Sequence, residues 1–331
     1  MRYEFYAVPD PSNEVCSEVA ALAPTNPFYA HAYLQARRSL GFRPWMLALR
    51  WGEPMVAACT AFVKAGYLNR SLEISSLPVL QDPDTFWEGL LGFCRRLRVS
   101  YLEVNSFASS VAAIPPLSGE VGRRGRAEYV LDLQKPGLWD RLSSNHARNI
   151  KRARGAGLQV RRARDPLACG DHAGLVEVSM GRRRGRGESA PGDIETRSFE
   201  ALFRSGAGEL FQAVSDGSVM SSVLVLRAER GAYYQSAGTT ADGMACGASH
   251  FLLYETANTL RQELLEVFNL GGAGRDNPGL ERFKVGFGAT VVELEAAEFF
   301  LGGRVRGNLG RIHRSVLRGL SGLTSHSLPT K

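Results

Sequence analysis

Lys284 stands between Phe283 and Phe287 in the stretch Phe268-Asn-Leu-Gly-Gly-Ala-Gly-Arg-Asp-Asn-Pro-Gly-Leu-Glu-Arg-Phe-Lys-Val-Gly-Phe-Gly288. An ammonium held among apolar groups must find an anionic partner or lose its proton, because desolvation penalises its charged form. Such a group suits a phosphate, or the oxyanion that forms during acyl transfer. The bland alternative is a lysine whose stem packs on the phenyl rings while its head reaches water. The pattern reads as a strand from Leu264 to Leu270 that runs into a glycine-rich loop presenting the lysine.

Three further clusters are basic or glycine-rich. The interval Arg141 to Arg164 holds eight basic residues and no acid. Within it Arg148 and Arg152 are four apart, so on a helix they share a face and repel unless an anion lies between them; the other reading is a solvated helix face. Gly181-Arg-Arg-Arg-Gly-Arg-Gly187 has the composition of a flexible loop that engages nucleic acid through its charge, or of a disordered insertion. Asp242-Gly-Met-Ala-Cys-Gly-Ala-Ser249 precedes a helix, whose free N–H groups can receive an anion.

No nucleophile stands out. The histidines at 31, 146, 172, 250, 313 and 326 have no spacing that ties them to a serine or cysteine. Cys169-x-x-His172 is too isolated to argue for a metal, and no metal or redox cofactor is expected. Glu103 shares a strand face with Tyr101 and Asn105 near a strand end, where a carboxylate can take a proton from an attacking amine; an exposed strand glutamate is the plainer reading.

The elements that must position these groups alternate in type. The helix Pro27 to Leu40, the strands Trp45 to Arg50, Met55 to Val63 and Leu72 to Ser75, the helix Thr85 to Leu97 and the strand Tyr101 to Val104 form one α/β unit. Residues 108–126, with Pro115, Pro116 and several glycines, read as a domain junction. A strand Tyr129 to Leu133, a helix Leu138 to Arg154 and a strand Leu158 to Arg162 follow. Next come strands Glu209 to Ala213, Val219 to Ala228 and Ala232 to Ser236, then a helix His250 to Gln262 with Ser249 as its N-cap. Two similar α/β halves are expected, 1–127 completed by 292–331, and 128–291.

At 331 residues, 44% of them apolar, the chain is long enough for two domains. Net charge is +7, and its excess of arginine suits a phosphate-bearing partner. Five scattered cysteines show no disulfide-like spacing, and no run approaches ~18 apolar residues. A soluble, cytoplasmic and monomeric protein is expected.

Together these residues resemble the Fem-type aminoacyltransferases, tandem-GNAT enzymes that add amino acids from aminoacyl-tRNA to peptidoglycan precursors. The resemblance rests on Arg148-Asn-Ile-x-x-Ala-x-x-x-Gly157, Tyr233-Tyr-Gln-Ser-Ala-Gly238, Phe268-Asn-Leu-Gly-Gly272 and Arg282-Phe-Lys-x-Gly-Phe-Gly288, with a weaker match at Asn26-Pro-Phe-Tyr29 and Gly52-Glu-Pro-Met-Val-Ala57. It implies two GNAT-like α/β domains with the acceptor in the cleft between them. Lys284, with Phe283 beside it, would stabilise the acyl-transfer transition state. Tyr234, Asn105, Arg282 and either Arg37 or Arg38 would meet the substrates. Arg148, Lys151, Arg152, Arg182, Arg183, Arg184, Arg311 and Arg314 would follow the tRNA backbone.

Two departures from the family pattern bear on the acceptor. The first-domain strand ends in Glu103-Val-Asn105 where an aspartate is usual, and Asn145 and Ala147 stand where lysine and arginine are usual. The acceptor therefore need not be a peptidoglycan precursor. An acyl-CoA N-acyltransferase of the same fold is the first alternative, on a partial match of Met244 to Ser249 to the pyrophosphate loop Q/R-x-x-G-x-G/A. A non-catalytic RNA-binding module on a transferase fold is the second.

Overall fold

The computed structural model describes residues 2–66, 69–111, 113–163, 165–187, 196–273 and 277–302. The first half runs β1 (Tyr3–Pro9), α1 (Asn13–Leu22), α2 (His31–Ser39), β2 (Arg43–Trp51), β3 (Met55–Ala65), β4 (Arg70–Ile74), α3 (Pro83–Arg96), β5 (Tyr101–Val104) and β6 (Glu120–Asp132). The second begins with α4 (Ser144–Gly155), then β7 (Gln159–Ala163), α5 (Ala168–Gly185), α6 (Thr196–Arg204), β8 (Gly208–Ser215), β9 (Ser218–Arg227) and β10 (Gly231–Thr239). It ends with α7 (Ala241–Cys246), α8 (Ala248–Gln262), β11 (Val267–Ala273), α9 (Pro278–Val285) and β12 (Thr290–Phe300).

The second half repeats the first. Each follows a strand with two helices, three antiparallel strands, a helix, a strand parallel to the last, and a long final strand; α4, α7 and α9 are additions to the second. All strands join one mixed sheet in the order β1-β2-β3-β4-β5-β12-β6-β11-β10-β9-β8-β7. Each half's last strand crosses to the other, β12 against β5 and β6 against β11, and the two pair with each other at the centre.

Several boundaries differ from the sequence pattern. β6 starts at Glu120 rather than Tyr129, because its exposed, arginine-rich first part is recruited by β12 and by ion pairs of Arg123 to Glu120 and Glu295. α4 starts at Ser144 rather than Leu138, since the Ser143 hydroxyl accepts from the His146 N–H and caps the helix there. Ser249 is not the cap of α8: Gly247, at φ +83°, ends α7 and begins α8, and Ser249 lies inside the first turn. The segment Gly181 to Gly185 is the end of α5, not a loop, with arginine's good helix propensity outweighing its two glycines. The glycine-rich stretch before Lys284 contains a helix as well, α9, nucleated by the Asn277 side chain on the Leu280 N–H and by Pro278 in the first turn.

Two cores flank the second half's sheet. Leu224 and Leu226 of β9 pack with Phe28, Leu34 and Cys169 on the face carrying α2, α5 and α6, whereas Val223 and Val225 pack with Phe251, Leu252 and Phe268 on the face carrying α4 and α8. Among the described residues no helix is long and apolar enough to cross a membrane. None of the described His, Cys, Asp and Glu side chains form a group of three placed to hold a metal.

Candidate active site

The parallel strand pairs of the two halves differ. β4 and β5 pair over Ser71–Ile74 and Tyr101–Val104, and the seam continues through Asn105 N–H to the Ile74 carbonyl at 2.8 Å and Phe107 N–H to the Ser75 carbonyl at 3.1 Å. β10 and β11 pair only over Gly231–Tyr233 and Val267–Asn269, although both strands run on. Beyond Tyr233 they part, and a bulge between Tyr234 and Ser236 turns the two residues to opposite faces. The gap opens a cleft of about 1170 Å³ lined from both faces of the sheet.

Lys284 lies at this opening. α9 leaves Arg282 exposed and turns Lys284 inward to 3% exposure. Its Nζ donates to the Gly272 carbonyl at 2.6 Å and sits 5.4 Å from the Tyr234 ring centroid and 5.8 Å from that of Tyr129. Burial holds the ammonium down at about 7, against an opposing pull from Glu128 and a further push from Arg126 and Arg183. The ammonium is therefore fixed and desolvated rather than snorkelling. Burial also pushes the Tyr234 hydroxyl up to about 12, which keeps it a neutral donor.

The glycines of the Phe-Lys-x-Gly-Phe-Gly motif have a physical reason. A Cβ on Gly286 would overlap the His146 ring, and Gly288 needs φ +80° beside the Arg141 backbone. His146 Nε2 donates to the Phe283 carbonyl at 2.7 Å while Nδ1 accepts from Ser143 at 2.8 Å, so one tautomer ties α4 to α9. Its burial lowers its proton affinity and keeps the ring neutral. His250 and Phe287 pack edge to face against it and Phe283 lies tilted beside it, and Phe283 lines the cleft.

Sequence reasoning missed Glu128. It is fully buried on β6 and accepts four hydrogen bonds, from Tyr233 Oη at 2.9 Å, Asn269 Nδ2 at 2.8 Å, Arg126 at 3.0 Å and the Ala108 N–H at 3.0 Å. Asn269 Oδ1 in turn accepts from the Gly271 N–H at 2.8 Å. One carboxylate thus fixes the root of the gap from both strands. A glutamate one residue before an apolar strand carries no mark of burial in the sequence; only the crossing of β6 between the halves puts it there.

On the face of α2 and α5, the cleft gathers arginines. Arg37 makes a bidentate pair with Glu73 at 2.6 and 3.3 Å, stacked at 3.9 Å over Phe42, and both members line the cleft. Arg182, Arg183 and Arg186 line it from the end of α5, and Arg182 donates to the Thr239 carbonyl at 2.6 Å. The opposite face supplies Val223, Leu252, Leu253, Met244 and His250. Burial pushes the His250 imidazole down to about 4, leaving it uncharged.

Of the residues singled out in the sequence, the cleft brings together Lys284, Phe283, Tyr234, Arg37, Arg182 and Arg183. Met244 and Ser249 of the partial pyrophosphate-loop match line it as well, whereas Glu103, Asn105, Arg38, Arg148, Lys151, Arg152, Arg184 and Arg282 do not. Glu103 meets Asn105 Nδ2 at 3.0 Å and Arg124 at 3.5 Å, and Arg38 pairs with Asp10. Arg148, Lys151 and Arg152 are exposed on α4, Arg152 reaching the Ala245 carbonyl at 3.2 Å, while Arg184 pairs with Glu177. Arg154, Arg161 and Arg162 of the basic interval are engaged by Glu255, Gln212, Glu209 and Glu263. Arg164, Arg311 and Arg314 lie outside the described residues.

Two mixed half-sheets in tandem, with parallel strands that part in the second half, decide the fold class. Residues 141–285 match the family model of an acetyltransferase (GNAT) domain. The structure is similar to a crystal structure of FemX, with a TM-score of 0.67 at 13% identity over 91% of this chain and 98% of that one. It has the fold of a Fem-like tandem GNAT protein. The tandem GNAT protein from the clavulanic acid biosynthesis pathway superimposes with a TM-score of 0.54 at 12% identity, over 91% of this chain and 99% of that one. L-PGS from Bacillus licheniformis gives 0.52 at 11% identity, over 93% and 98%. No curated protein matches the sequence of this chain.

Proposed function

We propose that the protein is an aminoacyltransferase that moves an amino acid from aminoacyl-tRNA to an amine on a small molecule, peptide or peptidoglycan precursor. The observation that carries this reading is Lys284, a desolvated ammonium fixed where β10 and β11 part and the two faces of the sheet meet. The likeness to FemX supports it, as does the match of the middle of the chain to an acyltransferase domain.

In this reading an amine attacks the ester carbonyl of the donor, and the ribose hydroxyl leaves. Lys284 stabilises the oxyanion in a site screened from water, where one such charge contributes most. Tyr234 and Phe283 wall the carbonyl. Arg37, Arg182 and Arg183 hold an anionic partner, and the exposed Arg148, Lys151 and Arg152 follow the tRNA backbone. The ester is already activated, so orientation and charge supply the catalysis. Glu103 does not line the cleft, so in this reading it is not the proton acceptor. The domains are taken as 1–127 completed by 292–331, and 128–291, in a cytoplasmic monomer.

Transfer from acyl-CoA is the second reading, favoured by the opening of the α8 N-terminus, Met244, Ser249 and His250, on the cleft. Against it, the Asn149 carbonyl of α4 would lie 2.6 Å from a Cβ on Gly247, and Arg152 bonds to Ala245, so α4 lies across the loop that would receive a pyrophosphate. Incubation with labelled aminoacyl-tRNA or labelled acyl-CoA and a panel of amines separates the two. Transfer from CoA and never from tRNA would sink the first. RNA binding without turnover from either donor, and unchanged in Lys284→Ala, would leave the non-catalytic module.

A further inference from the structure

The two walls of the cleft differ in chemistry. All its arginines, and Glu73, come from the face of α2 and α5. The wall on the side of α8 and α9 is built by Val223, Ala237, Met244, Leu252, Leu253 and Phe283, with the hydroxyls of Ser221, Thr239 and Ser249 bonded among themselves, and among the described lining residues on this wall the only charge is Lys284 itself. The register explains the contrast. Ala237 and Tyr234 pair with Val223 and Val225, which belong to the core under α8, while the bulge turns Ser236 to the other face. His250 adds a ring that burial keeps neutral.

Lys284 is packed between Tyr129 and Tyr234, on the α8 side of the sheet. The carbonyl oxygen it meets then lies on that side, and of the two groups on the carbonyl carbon the ribose leads to the anionic tRNA, which suits the arginine-bearing face, leaving the aminoacyl Cα and its side chain to the apolar wall. We propose that this wall is the side-chain pocket for the transferred amino acid and that it selects an apolar, uncharged one. The inference rests on the aminoacyl-transfer reading above. A lysyl, arginyl, aspartyl or glutamyl side chain placed there would lose its hydration without gaining a partner, a penalty that an alkyl or aryl side chain escapes. The small residues Ala237 and Ser221 leave the pocket its width.

The test uses one tRNA acylated in turn with labelled alanine, valine, leucine, phenylalanine, lysine and glutamate, so that only the amino acid varies. Enzyme-dependent loss of the ester, by transfer to a panel of amines or to water, is measured for each. The apolar donors should be consumed roughly 100-fold faster than the charged ones, the discrimination that pocket chemistry readily reaches. Leu253→Asp should raise use of the lysyl donor at the expense of the leucyl one, with the fold checked by circular dichroism. Equal use of all donors, or preference for a charged one, overturns the pocket assignment and leaves aminoacyl transfer standing. Consumption of none overturns the transfer reading and the pocket with it.

Discussion

The ammonium of Lys284 lies 2.6 Å from the carbonyl oxygen of Gly272, and this bond holds the charge where the second parallel strand pair comes apart. Gly271, at φ +70°, lets the backbone turn there; a Cβ would stand 3.1 Å from the Tyr234 carbonyl and 3.7 Å from Lys284 Nζ. Among the described residues of the first half the corresponding seam stays hydrogen-bonded through Asn105 and Phe107 and does not open.

Protonation of Lys284 gives two pH signatures of opposite sign. Its folded-state affinity, about 7, lies below the ordinary 10.5, so between these values the unfolded chain binds the proton and the folded one does not. Stability from this residue therefore rises with pH across that window, and the penalty of burying the charge is fully present below it. Thermal midpoints of the wild type and Lys284→Met, measured from pH 6 to 10, should converge as pH rises. Turnover that depends on the ammonium should instead fall as pH rises through about 7.

Glu128→Ala removes one acceptor from four donors, Arg126 among them. Leaving the buried partners unpaired should cost about 3 kcal/mol in urea denaturation, at the lower end for breaking a buried ion pair. A loss below about 0.5 kcal/mol would show that the network does not hold the halves together.

Arg37 and Arg38 are adjacent in sequence and opposite in setting. Arg37 is paired, stacked and in the cleft, while Arg38 lies on the outside with Asp10. Arg37→Ala should raise KM for an anionic acceptor about tenfold, the scale of one charged hydrogen bond, and Arg37→Lys should not restore it. Arg38→Ala should change neither KM nor kcat.

Two glycines predict opposite outcomes. A Cβ on Gly238 of β10 would overlap the Leu175 and Val176 backbone of α5, so Gly238→Ala should destabilise by about 3 kcal/mol through overpacking. Gly174 on the outer face of α5 has open space around its Cβ position, and Gly174→Ala should stabilise by about 0.5–1 kcal/mol. Paired thermal melts decide both.

Much of the sheet was legible because its strands are apolar runs such as Met55 to Val63, interrupted only by Thr60, and the repeat of α/β units pointed to tandem halves. The Phe283-Lys284 pair and Tyr234 were legible through their motifs. What was not legible depended on contacts distant in sequence. The arginines of Gly181 to Gly187 read as an exposed loop, yet α5 carries Arg182 and Arg183 into the cleft. α9 was hidden by its glycine-rich flank, though Asn277-Pro278 was a readable cap. Glu128 and the crossing of β6 and β12 had no local signal at all.

The most direct measurement compares the wild type with Lys284→Met in transfer from labelled aminoacyl-tRNA to amine acceptors, with folding and donor binding followed in parallel. The account predicts intact folding and binding with turnover reduced by about two orders of magnitude, the usual scale for one oxyanion-stabilising group. Unchanged turnover would contradict it and remove Lys284 from the mechanism.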